Sequence, residues 1–278
     1  MSHHGLQRAL VVALHDPAFV AALDADPDAA LAPFDLDATE RAQLLAVDRR
    51  AFGVDRLRRQ RVLRAIVEEL KGALAIALAE VRSLRFAEEL FSSPIFHRAV
   101  AADRPLVLAL ADYLADAHAR GRLSSPHLLP VLALERARAE ARRDVARAPR
   151  LGLDLAPGLR LLASDAAALA ALQAAEQHLF ELSLLPHAAL CDDRPALALP
   201  PPAAPRPLHL AVRAAGGEVA VSEIPEPLFR TLSALAAAPA PVRRDAMAGI
   251  LAAVGLRVPD PAALVADLLD EAYLVETA

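Results

Sequence analysis

Apolar and polar positions divide the chain into three stretches. Up to about residue 50, short apolar runs are punctuated by Asp16-Pro17 and Asp26-Pro27. Each pair offers a helix-capping carboxylate followed by a proline whose fixed φ suits the first helical turn, so short helices laid end to end are expected. Asp37 and Glu40 have the spacing of a capping box, and Leu44, Leu45 and Val47 give a third helix its apolar stripe, ending near Arg50. From Ala51 to Ser93 there is no proline, and Leu63, Val67, Leu70, Leu74, Ala77, Val81 and Leu84 recur at helical spacing. That pattern predicts one long helix or two nearly continuous ones.

Asp103 and Pro105 open a helix carrying Leu106, Leu110, Tyr113, Leu114 and Ala117, with Gly121 where a C′ residue belongs. Ser125-Pro126 opens another, with Leu128, Leu129, Leu132 and Ala137 inward and Glu135, Arg136, Arg138, Glu140, Arg142 and Arg143 outward. Gly152, Pro157 and Gly158 then interrupt the helical period. Leu159 to Leu162 reads as a short strand or an irregular crossing, and helix resumes over Ala166 to Leu184.

Pro195 to Pro207, with Pro200-Pro201-Pro202 and Pro205, favours extended polyproline conformation and marks a boundary. Beyond it the period drops to that of a strand. Leu208, Leu210 and Val212 alternate with polar or small residues, Gly216-Gly217 supplies a tight turn, and Val219 and Val221 follow, which predicts a β-hairpin. Three helices come next, opened by Pro227, Val242 and Asp260-Pro261, and the tail Tyr273 to Glu276 has the makings of a returning strand. The expected fold is mainly α, an N-terminal helical body (1–194), a Pro-rich linker (195–207) and a small α+β winged-helix-like domain (208–278).

Composition narrows the function. The chain has 278 residues, 55% hydrophobic and 23% charged, enough apolar material for buried cores and too little charge for a disordered polymer. A formal net charge of −5 leaves no overall field to attract nucleic acid or anionic lipid. Over 206–278 six arginines face nine acids, and the last helix, which in a DNA-bound winged helix enters the groove, carries Asp267, Asp270 and Glu271. Phosphates would repel it, so no nucleic-acid partner is expected. The single cysteine, Cys191, excludes an internal disulfide and fits a reducing cytoplasm. Neither a signal peptide nor an uncharged span long enough for a membrane is apparent, so no membrane contact is expected. Arg56, Arg58, Arg59, Arg61 and Arg64 read as a solvated helix face, since no aromatics interleave for base stacking.

Candidate chemistry is sparse. His178, Glu181, His187, Cys191, Asp192 and Asp193 are the metal-capable residues in one sequence neighbourhood, but nothing at ligand spacing closes a coordination sphere, and no metal or cofactor is expected. Serine-hydrolase elbows, phosphate-binding glycine loops, zinc-protease motifs and dinucleotide fingerprints are all missing. The adjacent acids Asp192-Asp193 and Glu68-Glu69 diverge if helical and read as solvated pairs. A binding subunit, not an enzyme, is the expectation.

Three resemblances give that expectation content. Asp16-Pro17, Phe19, Leu23, Asp26-Pro27, Ala30-Leu31, Phe34, Leu36, Glu40-Arg41, Leu44 and Asp48, in a segment spanning about 6–90, resemble the small helical subunit of LigA-type ring-opening dioxygenases. Ala111-Asp112-Tyr113-Leu114, Ser125-Pro126-His127-Leu128-Leu129 and Leu134-Glu135-Arg136-Ala137 resemble the partner proteins of multinuclear non-heme iron oxidative enzymes, such as those of methanobactin and 3-thiaglutamate synthesis. Gly217-Glu218-Val219, then Leu228, Leu232 and Leu235, then Ala263 to Tyr273 with Leu274-Val275, resemble the PqqD-type element that recognises leader peptides.

What these resemblances imply is a cytoplasmic, non-catalytic subunit that forms a heterodimer with an iron-dependent oxidase and binds a ribosomally synthesised precursor peptide. The peptide would lie along Val219, Ala220, Val221, Ser222 and Ile224, facing Val265, Leu269 and Tyr273, with Tyr273 and the backbone of Ala220 and Ser222 the leading contacts. Core packing is the competing reading for Val265 and Leu269. The PqqD-type pattern often has three strands before its helices, whereas only two are evident here; the third must come from Leu159 to Leu162, from the tail, or be lacking. Two other functions stay open, a lid-type subunit of a ring-opening dioxygenase and a winged-helix DNA-binding regulator.

Overall fold

A computed structural model describes residues 3–55, 57–146, 148, 150–184, 196–201, 206–238 and 242–277. It is 62% helical, with fourteen α-helices and five strands among the described residues. The chain divides into two compact units, Met1–Leu132 with Ala175–Ala198, and Ala133–Ala174 with Leu199–Ala278.

The first unit contains α1 (His4–His15), α2 (Pro17–Ala25), α3 (Pro27–Leu31), α4 (Ala38–Ala46), α5 (Arg58–Val67), α6 (Lys71–Val81), α7 (Arg85–Glu88), α8 (Pro94–Ala101) and α9 (Leu106–Ala119). Two longer helices, α10 (Leu128–Asp144) and α11 (Ala166–Leu184), each contribute residues to both units. The caps lie where the sequence placed them. Asp16 accepts from the Ala18 amide at 3.0 Å, Asp26 from the Ala29 amide at 3.0 Å, and Asp37 and Glu40 exchange both bonds of a capping box. Such a cap stabilises a helix by about 1 kcal/mol. Val12, Leu23, Phe91, Phe96, Leu110 and Leu114 form part of the core these helices bury. No single helix among the described residues is long and apolar enough to cross a membrane.

The proline-free stretch departs from expectation. Instead of one or two long helices it breaks into α5, α6 and α7, with 3₁₀ turns at Arg49–Gly53 and Glu89–Ser92. The breaks fall at Glu68–Leu70 and at Arg82, whose φ of +52° ends α6 in the left-handed region. A straight helix buries one stripe, whereas the turned chain buries Leu63 and Ile66 and then Gly72, Ala73, Leu74, Ile76 and Ala77 around much of α6. The arginine cluster is likewise only partly a solvated face. Arg61 and Arg64 are exposed, but Arg58 and Arg59 turn inward and donate to the carbonyls of Leu14 and His15, which the C-terminus of α1 leaves without helical partners.

The second unit holds β1 (Gly152–Leu155), β2 (Leu159–Asp165), β3 (Pro207–Ala215), β4 (Glu218–Glu223), α12 (Glu226–Ala237), α13 (Met247–Ala253), α14 (Pro261–Asp270) and β5 (Leu274–Thr277). Strands β2, β3 and β4 form an antiparallel sheet in that order. Gly216 and Gly217, at φ +60° and +88°, make the two-residue turn between β3 and β4, a conformation that demands positive φ at both positions. The third strand is therefore Leu159–Asp165. The tail also forms a strand, but β5 pairs with β1 in a separate antiparallel ribbon. Segment 152–165 thus belongs with the C-terminal elements, and Ala175–Ala198, which belongs to the first unit, interrupts this unit in sequence.

Helices α12–α14 cover one face of the sheet through Ile224, Leu232, Leu235, Met247, Leu251 and Val265. On the other face Leu208, Leu210 and Val212 are buried, and Arg160 reaches Asp144 of α10 at 2.8 Å. The ribbon is tied in by Arg150. Its amide and guanidinium hold the buried carboxylate of Asp154 at 2.8–3.1 Å, and its guanidinium also donates to the carbonyls of Leu235 and Ala238 at the end of α12. Gly152 lets β1 approach Val242, whose carbonyl oxygen would lie 2.4 Å from any Cβ at that position.

Candidate peptide-binding edge

In an antiparallel ladder, alternate residues point both backbone groups at the partner strand and the rest point both away. The Ile224 amide donates to the His209 carbonyl at 2.8 Å, and across β3 the Ala214 amide donates to the Gly158 carbonyl at 2.9 Å. With the β3–β4 register of Arg213 opposite Ala220 and Ala211 opposite Ser222, both bonds fix the same parity. Glu218, Ala220, Ser222 and Ile224 spend their amides and carbonyls on β3. Val219, Val221 and Glu223 direct theirs outward, and among the described residues no strand pairs with that edge.

The expected backbone contacts are corrected by this geometry. The main-chain groups of Ala220 and Ser222 are already bonded within the sheet, and the ones left for a fourth strand belong to Val219, Val221 and Glu223. Glu223 was missed in the sequence. A signal for it existed, because a two-residue Gly-Gly turn makes Ala215 and Glu218 a hydrogen-bonded closing pair and so sets the parity of everything after it.

Side chains alternate as well. Because Ile224 lies in the core beneath α12–α14, Ala220 and Ser222 share its face, yet both are exposed. The helices therefore stop short of the middle of β4. The last turn of α14 comes nearest, since Arg213, directly opposite Ala220, donates to the Glu271 carbonyl at 2.8 Å. Leu269 and Tyr273 are partly buried there and pack against the core. Ile224 and Val265, by contrast, are 4% and 1% exposed. They are core residues that hold the strand and helix in place and offer no surface to a ligand, which corrects the expectation for both.

The rim is acidic. Glu218, Asp267, Asp270 and Glu271 are exposed, while Glu223 has Arg206 at 3.7 Å and Glu226 pairs with Arg230. As for metals, among the described residues no three His, Cys, Asp or Glu side chains gather into a group able to hold an ion. His178 and Glu181 sit on α11; His187, Cys191, Asp192 and Asp193 lie outside the described residues. Comparison of the chain with protein-family models, with curated proteins and with solved structures finds no match to any of them.

Proposed function

We propose that this protein is a non-catalytic subunit that captures an extended segment of a ribosomally made precursor peptide on the outer edge of β4 and presents it to an iron-dependent oxidase. The observation that carries the reading is the free edge at Val219, Val221 and Glu223 beside the uncovered Ala220 and Ser222. Main-chain bonds along such an edge supply affinity in β-augmentation, and flanking side chains supply selectivity. Leu269 and Tyr273 provide an apolar shoulder, and the carboxylates of Glu218, Asp270 and Glu271 disfavour an acidic segment or a phosphate backbone. Holding the peptide by one end raises the local concentration of its other end at the partner's iron site, which is how a subunit without reactive groups accelerates a reaction.

The test is co-expression with the oxidase and short peptide encoded in neighbouring reading frames, followed by titration of that peptide. Val221→Pro removes an outward amide without touching the β3 ladder. It should weaken peptide binding at least about tenfold, roughly 1.4 kcal/mol, and leave the circular dichroism unchanged. Wild-type affinity in this variant would overturn the edge as the site, and failure of the wild-type chain to bind the peptide would overturn the function.

A further inference from the structure

Charge is unevenly spread along the free edge of β4. At the hairpin end, Glu218 follows Gly216-Gly217 and shares the helix-side face of Ala220, two residues or about 7 Å along the strand. Arg213, opposite Ala220, reaches the Glu271 carbonyl at 2.8 Å, which brings the C-terminal end of α14 to the same place. Asp267 lies one helical turn before Glu271, with Asp270 adjacent. All four carboxylates are exposed, and among the described residues none of them is in an ion pair. Four negative side chains thus face the guanidinium of Arg213, itself exposed.

The opposite end is balanced. Glu223 points to the other face, with Arg206 at 3.7 Å, and Glu226 pairs with Arg230. There Ile224 is core, and Pro225 has no amide to offer. The edge therefore carries a negative field at the Gly-Gly turn and none at its far end. Carboxylates gathered without cations repel one another, and a ligand that brings the cations relieves that repulsion.

We infer that the segment captured on β4 is cationic, with lysine or arginine side chains two residues apart over Glu218 and Ala220 and uncharged residues over Ser222 and Glu223. The inference rests on peptide capture at this edge and names the class of peptide. A fourth strand sends every second side chain to the helix-side face. A cation there is a direct or diagonal cross-strand neighbour of Glu218, and the long stem of a lysine or arginine carries its charge across to Asp270 and Glu271. Ala220 and Ser222, small and exposed, leave that face open for the stems. The basic part of the segment therefore lies at the Gly216-Gly217 turn.

The test uses the full chain and three fluorescent heptapeptides, blocked at both ends, that alternate valine with polar residues and carry two lysines, two glutamines or two glutamates at the polar positions of one end. In about 0.1 M salt the lysine peptide should bind about tenfold more tightly than the glutamate peptide, with glutamine between them. In about 1 M salt the three should converge, because exposed charges are then screened beyond about 3 Å. Glu218→Lys with Asp270→Lys, both at exposed positions, should invert the order and leave the circular dichroism unchanged. Three equal affinities, or an order that the double variant does not alter, would overturn the charge selection and leave the edge standing, provided Val221→Pro weakens binding of the glutamine peptide. No binding of any peptide, or a glutamine peptide indifferent to Val221→Pro, would overturn the edge and this inference together.

Discussion

Ile224 donates its main-chain hydrogen to the carbonyl of His209 over 2.8 Å, and this bond sets the direction of every backbone group along β4. Proline tolerance should therefore alternate along the strand. Ala220→Pro or Ser222→Pro removes a ladder bond and strands a β3 carbonyl, at a cost of about 1 to 3 kcal/mol. Val221→Pro removes an amide that bonds to nothing within the sheet and should change stability by about 0.5 kcal/mol or less. Urea unfolding of the three variants checks this, and equal losses at all three positions would contradict the parity.

A second prediction concerns the arginine that ties the β1–β5 ribbon to α12. Arg150→Ala takes from the Asp154 carboxylate, 2% exposed, its bonds to the Arg150 guanidinium, and takes a donor from the carbonyls of Leu235 and Ala238. Removing one partner of a buried pair costs about 3 kcal/mol. Replacing both, as Arg150→Met with Asp154→Leu, should recover part of that loss. Thermal unfolding of the two variants measures the difference.

Two neighbouring residues should shape the acid side of the stability curve in separate windows. His15 is 8% exposed, lies between Phe91 and Phe96, and leaves Nε2 unpartnered. Burial lowers its pKa below 6.5, helped by Arg58 and Arg59 and opposed by the bond to the Val11 carbonyl. The unfolded chain then binds the proton more readily, so stability is full above pH 6.5 and declines as pH falls below it. His15→Phe should flatten that decline.

Asp16 has the same sign at lower pH. Its lowered carboxyl contributes stability that is present above pH 3.8 and lost as pH falls through its folded-state value. Asp16→Asn should cost about 2 kcal/mol near neutrality, with the gap to wild type closing as pH falls below 3.8. Unfolding free energies measured from pH 3 to 8 separate the two residues.

Tyr113 predicts behaviour at the alkaline end. Burial, then the Glu89 carboxylate, pushes its phenol up to about 12 against the opposing pull of Arg122. The hydroxyl donates to the Phe86 carbonyl at 2.9 Å. Because the neutral form is favoured on folding, this contribution is present below pH 10 and lost as pH rises from 10 toward 12. Tyr113→Phe should cost about 1 kcal/mol at pH 7 and delete an absorbance transition expected at 295 nm near pH 12 in the wild type.

Local signals carried much of the fold. Asp16-Pro17, Asp26-Pro27 and Asp37 with Glu40 cap helices because capping needs residues within one turn, and Gly216-Gly217 turns a hairpin for the same reason. What the sequence hid was long-range. Nothing near Gly152 announces that β1 will pair with Leu274–Thr277, and nothing near Leu159 announces that β2 will lie against β3. The break at Arg82 was hidden because a left-handed arginine has no local signature, unlike a glycine. At the candidate edge, alternation identifies the strand Val219 to Ile224 but not which of its backbone groups face outward, so Ala220 and Ser222 lead the expected main-chain contacts where the outward groups belong to Val219, Val221 and Glu223. Ile224 and Val265 shared the apolar character of surface contacts, and only tertiary packing distinguishes them as core.

The pairing of β1 with β5 constrains the order in which the protein can be made. Leu274 follows Leu155 by about 120 residues, so at ordinary rates of translation β1 waits roughly 6 to 24 s for its partner. Through that interval its apolar residues emerge before the strand that covers them, and the unit cannot close until the last residues of β5 have left the ribosome. A fragment starting after the prolines would carry β5 with no β1 and β3 with no β2, so anyone isolating the unit that bears the β4 edge should cut ahead of Ala133 instead.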